Sequence, residues 1–461
     1  MRSEDRRGRG KRWLWLTILV VGAAGALLTF RVGGRPSIQI EPAMPGIGRR
    51  TPIVVPMTEP GRGLARVRVE FVQGDRTEIL AEKEFETRAA WKFWGPATEH
   101  DSIEVEVGSE TIERLETGEA LIRASAWPAG TWLRHPGAEV RELVLPVRLT
   151  PPAIMLRSRQ HYVAQGGAGV VVYAVGATAV EDGVRVGDWW FPGFDLPGSA
   201  DGGRFALFAV PFDLEDPNQL LLEATDDVGN TGTVGFVDQY FPKPFKRDTI
   251  EVSDRFMERV VPAIMGNTPG AEDQGSLLDN YLWVNRELRK RNAAEIIGLA
   301  EKSSREFLWD RPFVPMSNAQ VMSSFADRRT YVYQGREVDQ QDHLGFDLAS
   351  VRHADIEASN SGKVVLARYF GIYGNAVVLD HGYGLMSLYG HLSSISVEEG
   401  QWVERGQVVG RSGETGLAGG DHLHFTLLVG GRPVSPVEWW DGAWIRDRFA
   451  AKLESAFDFN H

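Results

Sequence analysis

The stretch Asp342-His343-Leu344-Gly345-Phe346-Asp347 and its counterpart Asp421-His422-Leu423-His424-Phe425 decide the reading of this chain. The first sets a histidine and a carboxylate at i and i+4, the second two histidines at i and i+2. Both separations are even, so on β-strands each pair projects from one face. Leu344, Phe346, Leu423 and Phe425 then turn the other way, into a core. The neighbouring composition is that of strands: GNAVVLD over Gly374–Asp380, GQVVG over Gly406–Gly410 and HFTLLV over His424–Val429. His353, His381 and His391 lie between the two motifs. Each motif alone fits ordinary hydrogen-bonded core histidines, but their combination points to a metal. Zinc takes His nitrogen and carboxylate oxygen at about 2.0–2.2 Å, and catalytic zinc keeps one position open. His343, Asp347 and one of His422 and His424 would supply such a set. Spacing does not choose between the last two.

Working outward, composition narrows the chemistry. The 461 residues carry 50 Lys+Arg against 62 Asp+Glu, a formal net charge of −12, and no cysteine. An acidic chain lacks the basic footprint of a nucleic-acid binder. Without cysteine there is no disulfide scaffold, thiol nucleophile or cysteine-based metal site, so any metal sits on His, Asp and Glu. The length predicts two to four units of about 100–200 residues.

The N-terminal end has its own pattern. Arg2, Arg6, Arg7, Arg9, Lys11 and Arg12 precede the uncharged run WLWLTILVVGAAGALLTF, Trp13–Phe30. As a helix at about 1.5 Å per residue this run nearly crosses a hydrocarbon core of about 30 Å. The basic flank places the N-terminus in the cytoplasm and the remainder outside it. A cleaved signal peptide is the competing reading, with Ala24-Gly25-Ala26 as the small-residue site. The length of the run favours an uncleaved anchor. Residues 1–35 are therefore expected as a cytoplasmic basic segment and a single transmembrane helix.

Residues 36–150 read as a first β-sandwich module and residues 151–248 as a second, immunoglobulin-like one. Val67, Val69 and Phe71 alternate with Arg66, Arg68 and Glu70, and Ile103, Val105 and Val107 repeat the pattern. Pro146 points to an edge strand, and Pro151-Pro152 marks the boundary. Val170–Val175, Phe205–Val210 and Leu220–Ala224 continue as strands, and Gly229-Asn230, within Glu223–Thr231, favours a tight turn between two final strands. His100, His135 and His161 are scattered and read as structural or surface residues. Residues 249–308 change period and are expected as a helical linker. Ser253 caps a first helix that Pro262 should kink or end, and a second runs from Ser276 to Glu301. A catalytic domain is expected over residues 309–445 and a tail over 446–461. The whole is a mainly β chain.

From about Pro315 to Pro436 the sequence resembles the M23 family of zinc peptidases, the lysostaphin and LytM-type murein endopeptidases. The likeness runs through MSSFADR at Met322–Arg328, HLGFD at His343–Asp347, GNAVVLDHG at Gly374–Gly382 and LYGHL at Leu388–Leu392. It continues through GQVVG at Gly406–Gly410, SGETG at Ser412–Gly416 and HLHF at His422–Phe425. The resemblance implies an antiparallel β domain, one Zn²⁺ per chain on His343, Asp347 and His424, and His391 and His422 as catalytic histidines outside the ligand set. Peptidoglycan stem peptides or cross-links are the implied substrate. The expected protein is a membrane-anchored, periplasmic endopeptidase of cell-wall remodelling, with wall or divisome proteins as partners of the sandwiches and no nucleic acid. The competing functions are a non-enzymatic scaffold or activator of another wall hydrolase, and a peptidase of exported proteins.

The chain departs from the family pattern in three places. Thr426 stands where Glu is common, Asp421 where Pro is common, and Arg352–Ile356 replaces the usual Gly-Thr-Pro-Val. These bear on substrate preference and on hydrogen bonds behind the ligands. His381 is expected to be structural and His353 a loop residue. The segment Arg329–Gln341, with Tyr331, Tyr333 and Arg336, reads equally as a groove wall or a plain hairpin.

Overall fold

The computed structural model describes residues 5–29, 34–89, 92, 95–131 and 135–460. A helix spans Asp5–Thr29, and its described apolar side chains, Trp13 through Val21 among them, are exposed. Among the described residues no helix is long and apolar enough to cross a membrane. The expected membrane-crossing helix thus gains no support here; Phe30, the end of its apolar run, lies outside the described residues.

The rest divides into two compact units, one running to Pro152 and including Thr225–Thr231, the other holding Ala153–Ala224 and Gly232 onward. The first unit is a sandwich of two antiparallel sheets. In one, Thr51–Thr58 pairs with His100–Val107 and, on its other side, with Ser37–Ile38 and Glu41–Pro42. In the other, the strand order is Arg76–Glu84, Leu64–Gln73, Gly118–Pro128, Glu139–Val147. Val67, Val69 and Phe71 are fully buried opposite Ala126, Ala124 and Ile122. Alternation put one row inside, and small partners let the sheets close. Pro146 sits on the edge strand, where a missing N–H breaks no ladder.

The second unit joins two four-stranded sheets to the histidine-bearing domain through one core. Val170, Phe205, Phe208 and Leu222 of these sheets belong to the same buried cluster as Tyr389, Phe425, Trp439 and Phe449. The C-terminal domain is built on an eight-stranded antiparallel sheet. Along its main path the strands are Gln320–Ser323, Phe346–Ala349, Leu423–Val429, Leu385–Leu392, Asn375–Gly382, Gly362–Tyr369 and Trp402–Val403. Every residue of Leu385–Leu392 and Leu423–Val429 is buried, because both faces of the sheet are covered.

One of the covers is the segment expected as a linker. Strand Arg247–Glu251 pairs parallel with Asp327–Tyr333 of the C-terminal domain, register Ile250 to Tyr331. The helix Asp254–Gly266 follows, its first turn capped by the Ser253 side chain accepting from the Phe256 N–H. Pro262 does not end it: the residue faces solvent, and the helix continues to Gly266 with Ile264 fully buried. Helical segments Leu277–Trp283, Val284–Leu288 and Arg289–Ala300 run on without a break, the middle one wound as a π-helix. Met257, Val260, Tyr281, Val284 and Leu288 form one buried cluster with Tyr331 and Ile372 of the domain. Ile296 packs on the eight-stranded sheet with Leu366, Val378, Met386 and Leu388. These helices are walls of the domain, since their apolar faces find its sheet.

The expected tail is likewise structural. Residues 437–456 are largely helical, and Ile445, Phe449, Leu453 and Phe457 are buried around Trp439 and Trp309.

Candidate functional site

Three strands bring the two motifs together. His343 ends the strand Arg336–His343, and Asp347 lies in Phe346–Ala349 after a break at Leu344-Gly345. Asp347 is directly paired across the ladder with His424, and His424 with Gly390, beside His391. The i, i+4 pair therefore converges across a strand break. Phe346, Leu423 and Phe425 point into the core as alternation requires, each less than a tenth exposed. Gly345 passes so close to the site that a Cβ there would lie 2.6 Å from the His424 ring. His391 has φ of +64°, a left-handed backbone costly for a side chain of its size.

Ligand-type atoms of His343, Asp347 and His424 lie within 4.8 Å of one another. His343 Nε2 is 2.9 Å and His424 Nδ1 2.9 Å from Asp347 Oδ1, and the two nitrogens are 3.1 Å apart. His422 Nε2 is 3.4 Å from the same oxygen. The imidazoles of His391 and His422 face each other with centroids 4.9 Å apart.

The outward nitrogens of the rings show whether a cation fits. His343 Nδ1 is 3.0 Å from the Ser324 carbonyl, so it carries the proton and Nε2 a lone pair. The Thr426 hydroxyl donates to the Leu344 carbonyl at 3.0 Å, leaving its oxygen to accept from His424 Nε2, also at 3.0 Å. His424 Nδ1 then bears a lone pair. Two imidazole lone pairs and a carboxylate oxygen thus face one another with no proton assigned between them. That donor set fits a divalent cation, and each ring's second N–H is held as metal-binding histidines require. Arg329 Nη2 donates to the remaining Asp347 oxygen at 2.9 Å. His391 and His422 are tethered the same way, their Nδ1 atoms 2.8 Å from the Thr415 and Gly420 carbonyls, and the Nε2 of His422 faces the Asp347 carboxylate.

Electrostatics favour the neutral form of two of the rings, His424 and His391. Burial pushes His424 down to about 4, and burial, with His422 and His424 nearby, holds His391 well below the ordinary histidine value. Burial also lowers His422, but the Asp347 carboxylate outweighs it and leaves that ring raised. Burial raises Asp347, and its hydrogen-bonded histidines reverse this and hold it well below the carboxylate range.

The site opens into a groove of about 330 Å³ whose walls include Ile250, Tyr281, Arg289, Arg329, Tyr331 and Tyr373. A larger cavity, about 720 Å³ and lined by Phe194, Phe307, Trp309 and Tyr383, holds no histidine. Chemistry and not volume marks the site.

Arg329 and Tyr331 make the segment 329–341 a groove wall, while Tyr333 bonds outward to Asp254 at 2.7 Å. Arg329 itself escaped the sequence reading, although Asp327, Arg329 and Tyr331 share a strand face by period two. Arg289, Tyr281 and Ile250 escaped it because they come from the helical segment. His381 is fully buried between the Ser361 carbonyl (2.7 Å) and the Ser387 hydroxyl (2.8 Å), a structural residue as expected. His353 lies in a loop, its N–H donating to Asp421 at 3.2 Å, and Asp421 also accepts from the Ser412 hydroxyl at 2.6 Å. Two of the departures from the family pattern therefore meet each other.

Residues 341–436 match the model of peptidase family M23, so the chain carries an M23 peptidase domain. It is 40% identical over 122 residues to the peptidoglycan DD-endopeptidase ShyA of Vibrio cholerae serotype O1, covering 26% of this chain and 28% of that protein. It is 41% identical over 95 residues to the DD-carboxypeptidase/endopeptidase Mpg of Neisseria meningitidis serogroup B, 21% of this chain and 22% of that one. The chain thus spans about a quarter of the length of the curated relatives it matches. Among solved structures, the catalytic domain of lysostaphin from Staphylococcus simulans aligns at 24% identity and a TM-score of 0.21, over 31% of this chain and 94% of that one.

Proposed function

We propose that this chain is a zinc-dependent endopeptidase that hydrolyses peptide bonds in peptidoglycan stems or cross-links, one zinc per chain, held by His343, Asp347 and His424. The observation that carries the reading is the convergence of three lone-pair atoms of those residues within 4.8 Å. Their outward polar atoms are already engaged by Ser324, Thr426 and Arg329. Zinc in such a site polarises a carbonyl and makes water acidic enough to attack near neutral pH. The residues supply the rest. His391 and His422, each held through Nδ1 with Nε2 turned away from its tether, take the proton of the attacking water, donate to the developing oxyanion and return a proton to the leaving amine. Their tethers to Thr415 and Gly420 fix both rings in the tautomer this needs. The substrate class rests on the relatives named above as acting on peptidoglycan.

The same reading places the domain outside the cytoplasmic membrane. Its support is the uncharged run Trp13–Phe30 behind a basic flank, and the exposed apolar side chains of the helix Asp5–Thr29. The two sandwiches serve as spacers between that anchor and the wall.

Isolated sacculi incubated with the purified full chain, with and without a chelator, test this. Chelator-sensitive release of peptide-linked fragments is expected. Binding without release indicates a scaffold, and cleavage of an exported protein without release from sacculi indicates a different substrate.

A further inference from the structure

The groove holds two arginines in different situations. Arg329 is spent on Asp347. Arg289, on the helical wall, makes no ion pair with any described residue. Its Nε donates to the Asn285 carbonyl at 3.1 Å and its Nη2 to Asn285 Oδ1 at 2.7 Å. Asn285 is itself fully buried and anchored by its amide to Asp339 Oδ2 at 2.8 Å. A guanidinium has five N–H donors, so one edge is clamped in place and the others face the groove uncommitted. The helix is wound as a π-turn over Val284–Leu288, immediately before Arg289. Such turns re-aim side chains and recur at functional sites. A fixed cation that makes no ion pair among the described residues, in the same small groove as the candidate metal ligands and Glu251, can receive an anion.

We propose that Arg289 receives a free carboxylate carried by the substrate within one or two residues of the scissile bond, so that the site selects peptides bearing an acid there. This deepens the peptidase reading and rests on it. A groove of about 330 Å³ holds only a short peptide segment, which ties the carboxylate closely to the bond being cut. Planar, forked donors match a carboxylate better than a point charge does.

The test measures binding without turnover. Two amine-side product peptides are titrated into the full wild-type chain, identical except that the residue that followed the scissile bond carries a carboxylate in one and a carboxamide in the other. The carboxylate should bind about 10–100-fold more tightly, the range for a hydrogen bond to a charged group. In Arg289→Gln the gap should close to within about twofold, and Arg289→Lys should keep part of it. Equal binding of the two peptides by the wild type overturns the proposal, as does an undiminished gap in Arg289→Gln. If Arg289→Gln fails to fold, the wild-type comparison and Arg289→Lys decide. Preference for the carboxylate without cleavage of the cross-linked peptide sinks the peptidase reading and sustains the receptor. Cleavage of both forms at equal kcat/KM does the reverse.

Discussion

Thr426 stands behind His424, giving its hydroxyl proton to the Leu344 carbonyl and taking the ring's Nε2–H in return. Thr426→Val keeps the volume and removes that acceptor, so His424 loses the bond that fixes its tautomer. Metal affinity, measured by competition with a chelator, should fall about 10–100-fold, as when such supporting partners are removed elsewhere. At this scale the sequence was most informative. The family motifs point at His343, Asp347, His391, His422 and His424, and period two also singles out His422 and His424, whereas His343 and Asp347 meet across a strand break that spacing does not reveal. The supports were not. Arg329 touches Asp347 only because a hairpin folds over the ligand strand, and a single sequence does not state that register.

The elements explain the other half of the groove. Segment 249–308 has amphipathic helices, and periodicity reveals that each needs a partner without saying which surface supplies it. The partner is the C-terminal domain: Tyr281, Val284 and Leu288 meet Tyr331 and Ile372, and Ile296 meets the eight-stranded sheet. Gly371 and Gly382 show how closely the fit is drawn. A Cβ at Gly382 would lie 1.7 Å from the Glu306 carbonyl oxygen, and one at Gly371 would lie 2.3 Å from Asn292 Oδ1. A free linker would not be cut so tightly. Tyr281 is 1% exposed, and Tyr281→Ala should destabilise the chain by about 3–5 kcal/mol, the usual cost of truncating a large buried aromatic residue. Denaturant unfolding checks this; a change below about 1 kcal/mol would mean the helices are not part of the folded domain. Pro262 was legible as a residue but not in effect, because a proline on the solvent face of a helix loses a bond that water replaces.

Across the whole molecule, strands were legible from alternation, as in Val67, Val69 and Phe71. That the second module and the C-terminal domain share a core was not, since aromatic residues such as Phe205, Phe307, Tyr383 and Phe457 carry no label for the layer they join. Glu438 lies at this junction. Its carboxyl accepts from the Ala168 N–H at 3.1 Å, and burial pushes it up to about 7. A carboxyl raised in the folded state holds its proton longer there than in the unfolded chain. Its stabilising effect is full below about pH 4.3 and is lost as pH rises through about 7, by about 3 kcal/mol. Unfolding measured across that window should show this loss, and Glu438→Gln should flatten the slope.

One claim is central: five residues, four of them on separate strands and His422 just before the last, make a metal-dependent peptidase. Zinc content and cleavage of a defined cross-linked peptidoglycan peptide, measured on the same samples of wild type and His391→Ala, test it most directly. The account predicts one zinc per chain in both, with cleavage only by the wild type and lost on chelation. Cleavage by the chelated wild type, or by His391→Ala at a wild-type rate, would contradict it.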